Sequence, residues 1–268
     1  MTMPTPETVW SLDTKHLGQR IAVHPCLDST NALGLSLGHD PTQHGLVLLA
    51  REQTAGRGQY GRSWQAPPGS SVLLSVLLFP PPALRRPALL TAWAAVSVCE
   101  TILALANLQA MIKWPNDVLI LGKKVCGILI EQRTTAHAEF PLATVVGIGL
   151  NVTQSAEMFE QAGLPDAASL ASISGLAFVR EDVAIKLIRH LDEQYHLLLE
   201  GDFLTLESLW KSRLGLLGKF VHVEGVHGHH RGRLLDVKLS ALDLEVAGKV
   251  LRLMPESIRH IHPSEPRG

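Results

Sequence analysis

Three glycines and two arginines lie close together in the segment Gly56-Arg57-Gly58-Gln59-Tyr60-Gly61-Arg62-Ser63-Trp64. Glycine lets the backbone bend closely around a ligand and turn its amide groups toward an anion. Arginine offers a fixed fork of donors that suits phosphate or carboxylate groups. The same residues also occur in ordinary solvated loops, but this segment joins two apolar strands and therefore lies at the edge of the core. We interpret it as an anion-binding loop, although its spacing differs from the Walker phosphate loop and from the dinucleotide-binding glycine pattern.

A second polar segment, Lys113-Trp114-Pro115-Asn116-Asp117, follows a short apolar stretch. Asparagine and aspartate after a proline are often simple turn formers, because both side chains satisfy nearby backbone groups. Here, however, Lys113 ends one predicted strand and Asp117 begins the next. A cation and a carboxylate on either side of one turn could bind a nucleotide and its Mg²⁺.

Two further strand-like segments contain glycines. In Lys123-Lys124-Val125-Cys126-Gly127-Ile128-Leu129, strand alternation predicts that Lys124, Cys126 and Ile128 share one face, whereas Gly127 allows a close approach from the other face. The segment Gly147-Ile148-Gly149-Leu150-Asn151 is typical of a strand lying against a flat group, with the Asn151 amide just beyond it. Adjacent lysines at a turn are usually solvated, so the first of these segments also has a purely structural interpretation.

Covalent catalysis and a metal cluster receive no support from the sequence. The chain has no Gly-x-Ser-x-Gly elbow and no cysteine beside a histidine, so a serine or cysteine nucleophile is not indicated. The run His227-Gly228-His229-His230 matches no established metal-ligand spacing, and we interpret it as a solvated turn.

The elements that must position these segments follow from apolar patterning. Asp28-Ser29-Thr30-Asn31 predicts the start of a short helix, and Asp182 is expected to cap a longer helix that ends at Gly201. Gly122-Lys123 predicts a hairpin turn. The predicted strands are 45–53, 70–79, 111–114, 118–121, 125–131 and 145–152, and two further helices are predicted over 88–108 and 203–213.

The pattern changes after Gly215, where short alternating segments are separated by glycine-containing turns. This pattern is typical of a small antiparallel barrel or meander. We therefore predict two domains: residues 1–213, which contain all of the polar segments above, and residues 214–268, a small C-terminal β-barrel.

Composition limits the classes of function. The 268 residues are 46% hydrophobic and 18% charged, which is a normal globular balance. Lys+Arg number 24 against 25 Asp+Glu, whereas a protein that binds nucleic acid through its phosphates would usually show a basic excess. Three scattered cysteines suit a reducing compartment, the N-terminus has no signal-peptide pattern, and the apolar stretch 88–108 contains Glu100 and Asn107, which argue against a membrane span. We expect a soluble cytoplasmic protein.

Taken together and in this order, the segments resemble the biotin–protein ligase family, over about residues 20–265. The matching stretches are Ser29-Thr30-Asn31, Gln53 with the loop GRGQYGRSW, KWPND at 113–117, KKVCGIL at 123–129 and GIGLN at 147–151. The resemblance implies an α+β fold, in which a mixed β-sheet catalytic core flanked by helices (class II synthetase-like) precedes the small C-terminal β-barrel. It also implies that ATP activates biotin to biotinyl-5′-AMP with Mg²⁺ present, and that biotin passes to a lysine of a biotin carboxyl carrier protein. The monofunctional type, without an N-terminal DNA-binding domain, is the expected subclass.

The resemblance further implies a role for each matching residue. Those expected to act in catalysis are Lys124, Arg57 and Asp117, with Asp117 also as the Mg²⁺ ligand. Those expected to bind biotin are Ser29, Thr30, Asn31, Gln53, Arg57, Gly127 and Lys124. Those expected to bind ATP are Arg57, Arg62, Trp64, Lys113, Asn116 and Asn151. Lys124 would bridge the biotin carboxylate and the phosphate, while Gly127 and Gly149 would let their strands flank the biotin bicycle.

One departure and two alternatives accompany this expectation. The family usually has a basic residue where this chain has Gln59, so we expect weaker retention of the adenylate. A lipoate or octanoate ligase would share the fold, but such enzymes have a different glycine loop and lack KWPND. A nucleic-acid-associated binding protein would explain the arginine loop and the small barrel, but not the balanced charge or the 5% aromatic content. The expected partner is the carrier protein, with no membrane or DNA partner and with a homodimer as the candidate assembly.

Overall fold

Two β-sheets and six α-helices make up residues 4–265, the part of the chain described by this computed structural model. The helices are α1 (Thr30–Leu37), α2 (Pro87–Ala106), α3 (Ala156–Gln161), α4 (Leu170–Ser174), α5 (Arg180–Leu199) and α6 (Phe203–Leu214). The strands of the first sheet are β1 (Thr8–Trp10), β2 (Ile21–Leu27), β3 (Val47–Gln53), β4 (Ser71–Leu78), β5 (Met111–Lys113), β6 (Asp117–Ile120), β7 (Lys123–Thr134) and β8 (Leu142–Asn151). The strands of the second sheet are β9 (Phe220–Gly225), β10 (Gly228–Val237), β11 (Leu242–Val246), β12 (Lys249–Leu253) and β13 (Ile258–Pro263).

The first sheet is mixed, as predicted. Its strand order is β1-β2-β3-β4-β8-β7-β6-β5, and β2 and β3 pair in parallel while the other neighbours are antiparallel. The central strand β4 is buried along its whole length because the sheet is covered on both sides at this strand. Its even-numbered residues join the main hydrophobic core, and its odd-numbered residues face the opposite side, where Ser71 and Ser75 interrupt the apolar pattern.

Helices cover the two faces unequally. On the core face, α2 packs against α5 and the strands, and most of its residues are buried. Within residues 4–265, α2 is the one helix long and apolar enough to cross a membrane, and its burial fits the core helix of a folded domain. On the other face, the short helix α1 lies over β3, β4 and β8. Part of this face is therefore left open beside α1.

The C-terminal sheet has five strands, and within residues 4–265 its two outer strands do not pair to close a barrel. Its order is β12-β11-β10-β9-β13, with all neighbours antiparallel, so β12 and β13 are its two edges. The inner face contributes Val221, Val223 and Leu234 to the same hydrophobic core as the first sheet. This continuous core links the C-terminal sheet to the rest of the described chain.

Two local predictions are wrong by a few residues. The β6–β7 turn is Leu121-Gly122, not Gly122-Lys123, and both residues have a left-handed backbone (φ 50° and 80°), as tight hairpin turns require. Helix α5 begins at Arg180 after Val179, so Asp182 does not cap it but lies in its first turn. A carboxylate there still interacts favourably with the helix dipole.

Four strands escaped the sequence analysis. Strand β10 begins at Gly228, so His229 and His230, which we predicted to lie in a solvated turn, pair instead with Glu224 and Val223 of β9. Strand β2 contains Pro25, β13 ends at Pro263, and β1 is only three residues long. Proline and short length both weaken a strand signal.

The two sheets are tied together by a buried hydrogen bond. Trp114 lies in the turn between β5 and β6, and its indole Nε1 donates to the carbonyl of Ile258 on β13 at 3.2 Å. Trp114 also packs against Trp210 of α6, with ring centroids 5.5 Å apart.

We predict that Trp114→Phe lowers the free energy of unfolding by about 1–3 kcal/mol, because the buried Ile258 carbonyl loses its donor. Hydrogen exchange of the β13 amides should accelerate. Trp93→Phe is the matched control, since the Trp93 indole of α2 donates to the carbonyl of Leu191 of α5 and does not contact the C-terminal sheet through this bond. This control should lower the free energy of unfolding without selectively accelerating hydrogen exchange of the β13 amides. An unchanged exchange rate of the β13 amides in Trp114→Phe would contradict the proposed role of the hydrogen bond.

Candidate active site

A cavity of about 340 Å³ opens on the face of the first sheet that α1 leaves uncovered. It brings together residues from all of the segments singled out in the sequence. The predicted site residues that line it are Ser29, Thr30, Asn31, Gln53, Arg57, Arg62, Trp64, Lys113, Asn116, Asp117, Lys124, Gly127 and Gly149. One predicted residue, Asn151, does not line it.

A buried polar network forms one end of the cavity. Ser29 caps α1 by accepting from the Ala32 amide, which holds the first turn of the helix over the sheet. Gln53 Oε1 accepts from both the amide (2.7 Å) and the hydroxyl (3.1 Å) of Thr30. Ser75 Oγ lies 2.7 Å from Thr30 Oγ1. The Gln53 side-chain NH₂ bonds to no residue within 4–265 and remains available to a ligand acceptor.

A second network joins the glycine loop to the sheet. Glu131 Oε2 on β7 accepts from the Asn31 side-chain amide at 2.8 Å and lies 3.1 Å from Arg57 Nη2. Asn31 is buried, and its Oδ1 is 2.6 Å from Ser75 Oγ. The Glu131 carboxylate therefore fixes Arg57 through one edge of the guanidinium and leaves its other donors free.

Lys124 lies on a different face of β7 from the one that simple alternation predicts. Asp117 pairs with Gly127 but Leu119 pairs with Lys124, so β7 has one extra residue, Val125, opposite β6. This β-bulge turns Lys124 onto the face of Gly127, whereas Cys126 remains in the core. The prediction that Lys124, Cys126 and Ile128 share one face was wrong for this reason.

The bulge places Lys124 against Asp117. Lys124 Nζ lies 2.6 Å from Asp117 Oδ1, with both side chains partly exposed to the cavity. The backbone of Lys124 is held from the other side, where its amide donates to the carbonyl of Asp166 at 2.7 Å. The ammonium group therefore stands at a fixed position in the cavity wall.

Trp64, at the end of the glycine loop, covers the paired glycines of β7 and β8. Gly127 and Gly149 are opposite each other in the sheet. A Cβ on Gly149 would lie 2.5 Å from the Trp64 ring, and one on Gly127 would lie 3.0 Å from it. Only glycine at these two positions allows the indole to approach the strands so closely. Lys124 Nζ lies 5.7 Å from the centroid of the same indole ring, within the range of a cation–π contact.

The Trp64 indole N–H is buried and has no hydrogen-bond partner within residues 4–265. Leaving a buried donor unpaired costs about 1–3 kcal/mol. The described residues therefore leave this donor unsatisfied.

The turn between β5 and β6 forms the other end of the cavity. Asn116 is held rigidly, since its side-chain amide donates to the carbonyl of Ile128 at 2.7 Å and its own carbonyl accepts from the Ile128 amide. Lys113 and Asp117 are directly opposite in the β5–β6 pairing, as the sequence predicted.

Asn151, which does not line the cavity, bonds to neighbouring residues of the protein. Its side-chain amide donates to the carbonyl of Ala168 at 3.0 Å, and its Oδ1 accepts from Gln154 at 3.2 Å. Ser71 Oγ lies 3.3 Å from the same oxygen. The buried amide thus ties the end of β8 to the segment before α4.

Comparisons with known proteins agree with this geometry. Residues 23–151 match the model of the biotin/lipoate A/B protein ligase family. The bifunctional ligase/repressor BirA of Bacillus subtilis is 30% identical over 259 residues, which cover 97% of this chain and 77% of the relative. The biotin–[acetyl-CoA-carboxylase] ligase of Mycobacterium tuberculosis is 36% identical over 152 residues, or 55% of this chain and 53% of the relative.

A solved structure of the biotin protein ligase from Aquifex aeolicus, in complex with biotin and ATP, has a TM-score of 0.75 at 25% identity. It covers 91% of this chain and 99% of its own. The chain belongs to the biotin–protein ligase family.

The charge in the cavity of this ligase is predominantly positive. The cationic lining residues are Arg57, Arg62, Lys113 and Lys124. The only carboxylate among the described lining residues is Asp117, and Lys124 already pairs with it. Such a lining favours a ligand with several negative charges.

Two of the three cysteines of this ligase, Cys99 and Cys126, are buried packing residues, whereas Cys26 is exposed. Burial raises the pKa of the Cys99 thiol to about 12 and raises the pKa of the Cys126 thiol well above its ordinary range. Both thiols therefore stay protonated near neutral pH, which suits packing and not nucleophilic attack.

Four cavity-related residues were missed in the sequence: Ser75, Glu131, His260 and His262. Ser75 had a signal, since it is a lone polar residue in a buried apolar strand. Glu131 also had one, because alternation along β7 puts it on the face of Gly127. The two histidines had none, because they come from the other sheet and reach the cavity only through tertiary packing.

We predict that Gly149→Ala displaces Trp64 from the sheet, because the added methyl group would occupy the space of the indole ring. Limited proteolysis should then cleave the 56–64 loop faster, and the tryptophan emission should shift to longer wavelength. Ile148→Val on the same strand is the control, since Ile148 is buried in the core. Equal cleavage rates in wild type and Gly149→Ala would show that the close packing of Trp64 does not hold the loop.

Proposed function

We propose that this protein activates biotin with ATP to form biotinyl-5′-AMP and then transfers biotin to a lysine of a biotin carboxyl carrier protein. One observation carries the proposal. A single cavity combines the uncharged polar side chains of Thr30 and Gln53, behind which Ser75 bonds to Thr30, with a separate set of cations around Lys124. Biotin has the matching composition, since its ureido ring is polar and neutral and its carboxylate must meet a triphosphate.

The first step brings two anions together. An oxygen of the biotin carboxylate attacks the α-phosphorus of ATP, the bond to the bridging oxygen breaks, and pyrophosphate leaves. Lys124 would lie between the carboxylate and the α-phosphate and reduce their repulsion, with Arg57 as the second cation. Asp117 keeps the Lys124 ammonium in position.

The second step transfers the acyl group. The uncharged amine of the acceptor lysine attacks the carbonyl carbon of the mixed anhydride, and AMP leaves with the oxygen that joined it to the acyl group. Water must be excluded meanwhile, because it would hydrolyse the anhydride. The glycine loop, closed by Trp64 against Gly127 and Gly149, would form this barrier.

Mg²⁺ would enter as the ATP complex. Magnesium in nucleotide sites is commonly held by one or two carboxylates together with substrate phosphates. The described lining offers one carboxylate, Asp117, and its ion pair with Lys124 makes it a poor sole ligand. We therefore propose that the phosphates provide most of the metal coordination and that Asp117 chiefly positions Lys124.

Several parts of the proposal rest mainly on composition and fold. The chain is proposed to form two domains, 1–213 and 214–268, which meet at the end of α6. Its balanced charge supports a ligase without a DNA partner. Three free cysteines support a cytoplasmic location. A homodimer is the proposed assembly, and sedimentation equilibrium would test it.

The deciding experiment is biotin-dependent exchange of labelled pyrophosphate into ATP. Purified protein with ATP and Mg²⁺ should catalyse exchange with biotin and much more slowly with lipoate or octanoate. Faster exchange with lipoate would support a lipoate ligase instead. Absence of exchange with every acid would refute the proposed function.

We predict that Lys124→Ala slows adenylate formation by about a hundredfold or more, or ~3 kcal/mol, because one charge contact to both reacting groups is lost. The melting temperature should change little, since Lys124 is partly exposed. Lys123→Ala is a matched control, because Lys123 is exposed and lies outside the cavity lining. A drop in stability as large as the drop in rate would instead identify Lys124 as a structural residue.

We predict that Gln59→Arg slows release of biotinyl-5′-AMP by about 10-fold or more, since a charge-assisted hydrogen bond contributes about 1.5–3 kcal/mol. Gln59 lines the cavity from the glycine loop, where a cation would face the adenylate phosphate. Release without acceptor would be followed after loading each protein with adenylate. Gln65→Arg makes the same chemical change at an exposed position outside the lining and should release adenylate like wild type. Equal release from Gln59→Arg and wild type would show that position 59 does not control retention.

A further inference from the structure

Two histidines of the C-terminal sheet line the same cavity as the nucleotide-side residues. His260 and His262 both lie on β13, and their ring centroids are 5.8 Å apart. They belong to a different sheet from every residue to which a role was assigned above. Imidazole donates a hydrogen bond even when neutral and carries a positive charge when protonated.

The hydrogen bond between the sheets holds the start of β13 beside the β5–β6 turn. Trp114 belongs to the turn that holds Asn116, and it bonds to Ile258, two residues before His260. A second tie lies nearby, where Arg86 pairs with Glu256 at 2.8 Å. The β5–β6 turn and β13 are therefore positioned together.

The glycine loop also reaches β13. The rings of Tyr60 and His260 have centroids 6.1 Å apart. His260 thus stands between the loop that covers the cavity and the turn at its far end.

The surroundings of the two histidines favour an anion. On the neighbouring strand, His222 pairs with His262 and Glu224 pairs with His260. Glu224 Oε1 is 3.8 Å from His262 Nε2, which is an ion-pair distance when the imidazole is protonated, so this carboxylate offsets part of the charge of His262. Within residues 4–265, the cavity cations Arg62 and Lys113 form no ion pair. Two unpaired cations and two imidazoles therefore face one space.

We propose that His260 and His262 form a subsite for the β- and γ-phosphates of ATP and for the pyrophosphate that leaves. The inference rests on the proposed function. Lys124 marks the reacting α-phosphate, so the rest of the triphosphate must extend toward cations that the reaction does not use. Arg62, Lys113 and the two imidazoles are those groups.

Measuring the two half-reactions separately distinguishes a role of this subsite from a role of the rest of the active site. Adenylate formation involves all three phosphates, whereas transfer from preformed biotinyl-5′-AMP involves only the α-phosphate. In His260→Gln/His262→Gln, we expect the KM values for ATP and pyrophosphate in the exchange assay to rise about 5- to 20-fold, as expected for lost contacts to charged groups. The KM for biotin and the rate of transfer from preformed adenylate should stay within twofold of wild type.

Two further variants control the experiment. His227→Gln removes an exposed histidine of the same sheet outside the cavity lining and should leave all constants unchanged. His260→Gln/His262→Lys has a charged donor at position 262 in place of the glutamine of the double variant. It should recover much of the ATP affinity that the double variant loses. An unchanged KM for ATP in the double variant, or an equal loss in transfer from preformed adenylate, would overturn the subsite. Absence of exchange in the wild type would instead refute the proposed function.

Discussion

The cavity must hold several cations close together before any anion arrives, and two ion pairs make this arrangement stable. Lys124 stands 2.6 Å from Asp117, and Arg57 stands 3.1 Å from Glu131. All four side chains are partly exposed, so solvent screens these pairs and they contribute little to overall stability. Their effect is positional, because each carboxylate fixes a cation while leaving some of its donors free. The two ion pairs therefore hold Lys124 and Arg57 in defined positions, and Arg62 and Lys113 give the cavity its net positive charge.

Both ion pairs depend on β7. The bulge at Val125 turns Lys124 toward Asp117, and regular alternation farther along brings Glu131 to the same face. The paired glycines of β7 and β8 lie between the two pairs and let Trp64 settle on the strands. One strand thus sets the positions of the cations, the packing of the glycine loop and the floor of the cavity. The core face of the same strand packs against α2, so the stability of the core supports the geometry of the site.

Much of the site could be predicted because its residues lie in short, dense segments. Lys113 and Asp117 flank one tight turn, so their proximity follows from local geometry alone. The apolar runs predicted most strands of the first sheet, whereas its mixed pairing was expected only from the family resemblance. The face of Lys124 did not, because a bulge leaves no clear mark in a sequence of strand-forming residues. His260 and His262 were out of reach for a different reason: their place in the cavity comes from a hydrogen bond between residues 144 positions apart in the chain. Asn151 lies outside the described cavity lining, and its side-chain amide bonds to the carbonyl of Ala168, a contact that the sequence did not indicate.

The central claim is that the cavity joins the biotin carboxylate directly to the α-phosphorus of ATP. Isotope transfer tests this most directly. Biotin labelled with ¹⁸O in both carboxylate oxygens would be turned over with ATP and an acceptor protein, and the AMP released would be analysed by mass spectrometry. We predict one ¹⁸O in the phosphate of each AMP, because the attacking oxygen stays on phosphorus when the amine displaces AMP. AMP without label, or ADP as the nucleotide product, would contradict attack at the α-phosphorus.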